Sequence, residues 1–448
     1  MGIASVTIDA ARPKSPDAHL LKWGDAAQLF LPDGSQLFDI DEALAEALDG
    51  ALQSGDGGIT LKKLLAGLDV LPVPDRCSGL PEDRRVRALS LAVAQSCNLG
   101  CSYCYAQGGG FGSAPKGMSL ETARAAIDLM LGDTRPGERA NLAFLGGEPL
   151  MGRDVIHDAT YYAARRASER GIKLSFSITT NGTLVGERDI ELFDKHGFAV
   201  TVSLDGAGAA HDRQRPFKGG RGSYARIIER IAPLVERAHR CQVSARVTVT
   251  PRNLGLSTML EELISFGFHS VGFSPMLSAP DAENEMQHDH LVEMLEQMMA
   301  CGRVFEARTI AGERYPFLNL LNGLREIHRG THRPYPCGAG AGYLGVSADG
   351  ELAACHRFID APEGAMGNLA DGVDRVRQTA WLEARHVHEQ SGCRSCWARY
   401  LCSGGCHHET LSRGRPACDF IRGWLHYVIG AYGRLTRARP DFVGQLAR

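Results

Sequence analysis

No stretch of this chain has the roughly 20 consecutive apolar residues that a membrane-crossing helix needs. Its start, Met1-Gly-Ile-Ala-Ser-Val-Thr7, has no basic segment followed by an apolar one, so no export signal is read. A cytoplasmic protein with no membrane partner is the expectation. An excess of positive charge is missing too. With 49 Lys and Arg against 52 Asp and Glu the net charge is −3, which argues against a nucleic-acid partner. At 448 residues, 44% hydrophobic and 23% charged, the composition suits a soluble globular enzyme of two or three packed units.

What is plentiful is cysteine. In a reducing compartment, 13 cysteines argue for metal binding or catalysis rather than disulfides. Eleven of them lie either within 97–104 or from 301 onwards; Cys77 and Cys241 stand apart and read as ordinary thiols. The first group is Cys97-Asn-Leu-Gly-Cys101-Ser-Tyr-Cys104, just after an apolar run. Thiolates are the soft ligands that a [4Fe-4S] cluster requires, and a set of three leaves one iron open to a small molecule. Structural zinc is the alternative, but it wants four ligands, and no histidine lies close to Cys104.

From about 86 to 275 strands and helices alternate, the pattern of a parallel sheet with crossover helices. Strands are expected at Ala88–Ala94, Asn141–Phe144, Lys173–Ile178, Ala199–Leu204, Gln242–Thr248 and Ser270–Phe273, with helices such as Leu120–Leu131, Asp154–Arg170 and Tyr224–Ala238 between them. Six units are too few for a closed eight-stranded barrel and suit an open, partial (β/α)6 barrel. In such α/β folds ligands collect at the carboxyl ends of the strands. The polar motifs recur there: the cysteine loop, Gly146-Gly147-Glu148-Pro149, Thr179-Thr180-Asn181-Gly182 and Ser203-Leu204-Asp205-Gly206. That recurrence makes one site of motifs that are individually weak.

Residues 1–80 read as a small N-terminal α+β unit. It has strands at His19–Trp23 and Gln28–Leu31, a turn at Pro32–Ser35, helices at Ile40–Leu48 and Ile59–Leu68, and a linker marked by Pro72, Pro74 and Pro81. Residues 276–335 read as a helical bridge whose longest helix is Leu291–Ala307, residues 336–425 as a cysteine-rich domain and residues 426–448 as a tail helix.

The Cx3Cx2C loop with Tyr103 before its last cysteine, followed by GGEP, TTNG and SLDG, resembles the radical S-adenosylmethionine (radical SAM) enzymes. The tail resembles their SPASM extension: Cys337, then Gly350 with four residues between it and Cys355, then Cys393-x2-Cys396-x5-Cys402-x3-Cys406, and finally Cys418. The two patterns span roughly residues 86–420. The resemblance implies a cluster held by Cys97, Cys101 and Cys104, whose free iron is chelated by S-adenosyl-L-methionine and whose electron cleaves it to a 5′-deoxyadenosyl radical. It also implies a substrate polypeptide and an electron donor such as flavodoxin or ferredoxin. Glu148 with the Gly146–Gly147 backbone matches the family's contact to the methionine amino group. Ser203 and Arg246 match ribose and carboxylate positions, and Asn181 a ligand-holding amide. Tyr103 either stacks on adenine or packs. Asp205 is a candidate acid/base, or half of an Asp-Gly turn.

By the same resemblance Cys393, Cys396, Cys402 and Cys418 complete a distal auxiliary [4Fe-4S] cluster, making three clusters in all. The proximal one takes Cys337, Cys355 and Cys406, but Tyr343 stands where sulfatase-maturing members have another cysteine. Its iron is then open, or takes another ligand, with Cys301 a candidate. An open iron suits holding a peptide thiolate. The chain accordingly resembles thioether-forming maturases, including those of quinohemoprotein amine dehydrogenase and of six-cysteine peptides. His356 stands where sulfatase-maturing relatives place an aspartate, which argues against formylglycine formation. A maturase making carbon–carbon links, a sulfatase-type dehydrogenase and a zinc-stabilised binding protein are the alternatives. Residues 1–80 are expected to dock the peptide by offering a strand edge. Gly108–Gly112 reads as a flexible loop, His407-His408 as a packed or solvated pair, and His211–Arg215 as a basic segment that either faces the peptide or is an exposed loop.

Overall fold

The computed structural model describes residues 2–23, 26–53, 63, 65, 66, 68, 70, 71 and 79–446. Most of the helix read at Ile59–Leu68, the linker prolines Pro72 and Pro74, and Cys77 lie outside the described residues.

The central sheet is built by the six expected strands: β4 (Ala88–Gln95), β6 (Arg139–Gly146), β7 (Lys173–Thr180), β8 (Ala199–Ser203), β9 (Gln242–Val249) and β10 (Ser270–Pro275). They pair in parallel in the order β10-β9-β8-β7-β6-β4. A parallel strand covered by helices on both faces is apolar throughout; β6, β7, β8 and β9 alternate instead, while β4 is buried along nearly its whole length. On β9, Val243, Ala245 and Val247 are buried, while Ser244, Arg246 and Thr248 between them are more accessible. On β8 the same division separates Val200 and Val202 from Thr201 and Ser203. The buried set meets the crossover helices, among them Leu120–Asp133, Arg153–Glu169 and Tyr224–Arg237. The polar set lines the accessible concave face of an incomplete barrel. An alternation with period two therefore places every other residue of β6 to β9 where a ligand can reach it.

The barrel's open side was not foreseen from the sequence. Strand β11 (Tyr343–Val346), from the cysteine-rich region, adds to β4 in parallel, with Tyr343 opposite Ala88 and Leu344 opposite Leu89. Strands β12 (Glu351–Ala353), β13 (Ala365–Asn368) and β14 (Gly372–Val373) continue from it in antiparallel steps. A two-residue strand, β5 (Lys116–Gly117), pairs with β4 from its other end. Cys337 and Cys355, which flank β11 and β12, thus hang from the same sheet as the Cys97–Cys104 loop.

The N-terminal unit holds one strand more than expected. Strands β1 (His19–Trp23), β2 (Ala26–Leu31) and β3 (Gln36–Ile40) form an antiparallel sheet in that order. The helix read from Ile40 begins at Glu42, because the Asp41 carboxylate accepts from the Leu44 amide at 2.8 Å and caps it there. Ile40 is left in the strand. A further helix, Ile3–Ala10, buries Ala4 and Ile8 against the long C-terminal helix Cys418–Ala438. That helix starts at Cys418, so the division placed between 425 and 426 falls inside one element. Trp397 ties the two ends together: its indole N–H donates to the Ala11 carbonyl at 2.8 Å, and its ring stacks on His19 at 3.9 Å.

Candidate functional site

The Cys97–Cys104 loop leaves the carboxyl end of β4 and is held by the segment after β8. Gly100 N–H donates to Pro216 O at 2.8 Å, Ser102 N–H to Gln214 O at 3.2 Å, and Lys218 N–H to Asn98 O at 3.1 Å. The three thiols lie close enough to act on one another electrostatically. Burial pushes Cys97 up and Cys101 to about 11, with Arg215 pulling both back. Three neighbouring thiols on one loop are the soft donors that a [4Fe-4S] cluster takes, each to be deprotonated when the metal binds, so the donor set fits such a cluster.

The GGEP and TTNG motifs close on this loop. A side chain on Gly147 would collide with the Ser96 carbonyl and the Gly109 Cα, and one on Gly146 with the Ala94 carbonyl. Bare glycines are needed here for backbone approach. The Glu148 carboxylate, fully buried, accepts from Leu150 N at 3.0 Å, Thr180 Oγ1 at 2.7 Å and Asn181 N at 2.7 Å. Burial raises it and these donors lower it. The Asn181 amide then reaches Asn98 Oδ1 at 2.9 Å and Cys97 Sγ at 3.7 Å. Gly108–Gly112, expected to be flexible, is pinned where Gly109 meets Gly147 and where Phe111 N–H donates to Ala106 O at 2.9 Å.

Tyr103, Asp205 and Arg215 form a second knot under the loop. The Tyr103 hydroxyl donates to Asp205 Oδ2 and accepts from Arg215 at 2.5 Å; Arg215 lies 3.6 Å from the same carboxylate. Asp205 Oδ1 accepts from Thr248 N at 2.8 Å. With Asp205 buried and both oxygens engaged, this carboxylate has no open face for proton exchange with a substrate. Arg246 and Ser203 sit opposite each other on β9 and β8. Arg246 is solvent-accessible although protein atoms surround it, the situation of a side chain in a wide concavity; that enclosure and the nearby Arg357 lower its pKa.

The tail cysteines divide into two groups. Cys337, Cys355 and Cys406 act on one another, as do Cys393, Cys396, Cys402 and Cys418. The second four line a cavity of about 70 Å³ that also takes in Cys406, Glu409, Arg415 and Arg422. Burial pushes Cys355 and Cys402 each up to about 12. Tyr343 stands beside Cys355 and Cys337, its hydroxyl bonded to Ser90 Oγ at 2.8 Å and His356 Nδ1 at 2.9 Å. None of the described cysteines forms a disulfide. No three His, Cys, Asp or Glu side chains among the described residues converge on one metal-ion position. Tetrahedral zinc would need its sulfurs about 3.8 Å apart, given a Zn–S bond near 2.3 Å.

Residues 91–255 match the Radical SAM superfamily. Residues 91–255 are a radical SAM domain. The chain is 28% identical over 351 residues to the serine-type anaerobic sulfatase-maturating enzyme of Klebsiella aerogenes, covering 74% of this chain and 82% of that one. It is 26% identical over 349 residues to the cysteine-type enzyme of Clostridium novyi, covering 72% and 89%. Its fold is shared with anSMEcpe solved with bound AdoMet (TM-score 0.66, 18% identity, 80% of this chain and 97% of that one). It is also shared with Streptococcus suis SuiB (TM-score 0.52, 15% identity, 90% and 98%).

Within the radical SAM domain, Cys97, Cys101, Cys104, Tyr103, Gly146, Gly147, Glu148 and Asn181 are brought together; Ser203 and Arg246 line its concave face, and Asp205 lies beneath the loop. The sequence reading missed Arg215. Its signal was the basic segment after β8, read there as peptide-facing or exposed. The segment forms a helix, Gly208–Gln214, and His211, Gln214 and Arg215 are buried, with His211 held by Asp205 N and Ser223 Oγ. Cys301 packs beside Ser257, 3.6 Å from its hydroxyl, with Glu261 and Arg303 as its charged neighbours, and does not join the proximal cysteines. His407 and His408 are packed, edge-on to Trp381 and to Tyr105 and Phe358. No helix among the described residues is long and apolar enough to cross a membrane.

Proposed function

We propose that this chain is a radical SAM maturase that forms thioether links, cysteine sulfur to carbon, within a substrate polypeptide. A [4Fe-4S] cluster held by Cys97, Cys101 and Cys104 supplies, when bound, the electron for cleaving S-adenosyl-L-methionine to a 5′-deoxyadenosyl radical. The residues around it bind and orient. The GGEP backbone lies against the cysteine loop, where an amino group can approach closely. Ser203 and Arg246 offer a hydroxyl and a guanidinium on the concave face, suited to ribose and carboxylate. Tyr103 is fastened by Asp205 and Arg215, which favours a fixed wall over a mobile one and turns the expected acid/base at Asp205 into a positioning group.

The observation that carries the thioether reading is the incomplete proximal group. Cys337, Cys355 and Cys406 supply three thiols, and the residue at the place of a fourth, Tyr343, has its hydroxyl committed to Ser90 and His356. One coordination site is then free for a peptide thiolate. The distal group, with four thiols, is closed. A sulfatase-type dehydrogenation is favoured by the names of the relatives in Klebsiella and Clostridium. Against it stands His356, whose basicity burial depresses to about 3, at the place of an aspartate. Anaerobic incubation with S-adenosyl-L-methionine, a reductant and the substrate peptide, followed by tandem mass spectrometry, separates the two. Thioether formation joins a cysteine to a second residue with loss of two hydrogens; dehydrogenation leaves an aldehyde and no link.

Residues 1–80 are proposed to dock the peptide along an edge of the β1–β3 sheet. Deleting them is a poor test, because Trp397 and the Cys418–Ala438 helix pack against them. Amide hydrogen exchange across 19–40 with and without peptide is better: slowed exchange in one edge strand supports docking there, and unchanged exchange overturns it.

A further inference from the structure

Arg357 hydrogen-bonds a sulfur of the proximal cysteine group. It follows Cys355 by two positions, and its Nη1 donates to Cys406 Sγ at 3.7 Å and to Glu409 Oε1 at 2.8 Å. The guanidinium lies over the Tyr105 ring, 4.9 Å from its centre. Its Nε is buried and has no partner. Tyr105 directly follows Cys104 and is also packed edge-on against Phe111, His356 and His408. One cation is therefore clamped between the radical SAM loop and the proximal cysteines. Three contacts fix it: an aromatic face, a carboxylate and a thiol sulfur. A surface arginine is not held in this way.

We propose that Arg357 sets the reduction potential of an iron–sulfur cluster at Cys337, Cys355 and Cys406, raising it through the hydrogen bond to the Cys406 sulfur. This rests on the reading that those three cysteines hold a cluster. Reduction adds negative charge, and a donor and a positive charge at a ligand sulfur stabilise the reduced form. Glu409 partly offsets the effect, so the pair fixes the potential between two limits. Arg357 touches a ligand sulfur and not the substrate, and acts as a positioning residue. The distal group is electrostatically next to Arg415 and Arg422; Cys406 and Glu409 line the same cavity as its four cysteines, whereas Arg357 itself does not.

The test is a redox titration of the anaerobically reconstituted protein, followed by electron paramagnetic resonance, with the distal cluster as internal reference. Arg357→Met should lower the proximal midpoint, reducing the reduction equilibrium constant roughly tenfold, about 59 mV for one electron. Iron content and the distal midpoint should stay unchanged. Arg357→Lys, which keeps the charge, should recover part of the shift. Glu409→Gln should move the midpoint the opposite way, and keeps the test open if Arg357→Met fails to load iron. An unmoved midpoint in fully loaded Arg357→Met, or a Glu409→Gln shift of zero or of the same sign, overturns the proposal. Wild-type protein with no proximal signal overturns the cluster reading itself, whereas a product without a thioether leaves the Arg357 result standing.

Discussion

Asp205→Asn separates a scaffold from an acid/base. The native carboxylate takes the Tyr103 hydroxyl on Oδ2 and the Thr248 amide on Oδ1, and faces Arg215 at 3.6 Å. An asparagine can still accept from Thr248. The amide left facing Tyr103 and Arg215 then leaves a guanidinium that is 8% exposed without its counter-charge. Breaking one side of a buried pair costs about 3–5 kcal/mol, a large share of the roughly 5–15 kcal/mol that holds a domain folded. Urea unfolding of the apo-protein, read by tryptophan fluorescence, should show a loss of that order. Iron retained at Cys97–Cys104 should fall with it. The double variant Asp205→Asn with Arg215→Met removes both charges and should recover much of the stability, giving a strong coupling against the two single variants. Asp205→Asn within about 1 kcal/mol of wild type, with full iron but no turnover, would refute the scaffold reading and restore Asp205 as a proton-transfer group.

Gly147→Ala should force the GGEP turn away from Ser96 and Gly109, with loss of iron from the Cys97 group and retention at the tail groups; full iron in both, by metal analysis and spectroscopy, would contradict the packing. Trp397→Ala removes a fully buried ring with a 2.8 Å hydrogen bond to Ala11 and should cost about 3–5 kcal/mol, with faster amide exchange across 3–10 and 19–23. Burial depresses His211 to about 3 and His426 to about 4, below the unfolded value near 6.5. The unfolded chain binds protons first as pH falls, so apo-protein stability should decline from about pH 6.5 downward, by up to about 1.4 kcal/mol per pH unit for each histidine. Urea midpoints at pH 7.5 and 5.5 check this, and His426→Gln should flatten the slope.

The strand ends were readable because each strand carries its own apolar run and each ends on a polar motif, as at Ser203-Leu-Asp-Gly206. The pairing of Tyr343–Val346 with Ala88–Leu91 was not. Four residues carry too weak a pattern, and their partner lies some 250 positions away. Ile3–Ala10 is rich in β-branched residues that disfavour a helix locally; it is helical because Ala4 and Ile8 pack on the C-terminal helix. The Cys97–Cys104 set was legible from its spacing, whereas the division of the tail cysteines into two groups rested on the family resemblance. Arg215 and Arg357 were not legible, since an arginine in sequence does not say which thiol it will face.

The most direct measurement of the central claim is the mass of the peptide product, together with its fragmentation, after anaerobic turnover with S-adenosyl-L-methionine and the peptide encoded beside this gene. A product two hydrogens lighter per link, with a cysteine sulfur joined to a carbon of another residue, is the result predicted from the three-cysteine proximal group. A carbon–carbon link, or an aldehyde in place of a serine or cysteine side chain with no sulfur–carbon link formed, would contradict it.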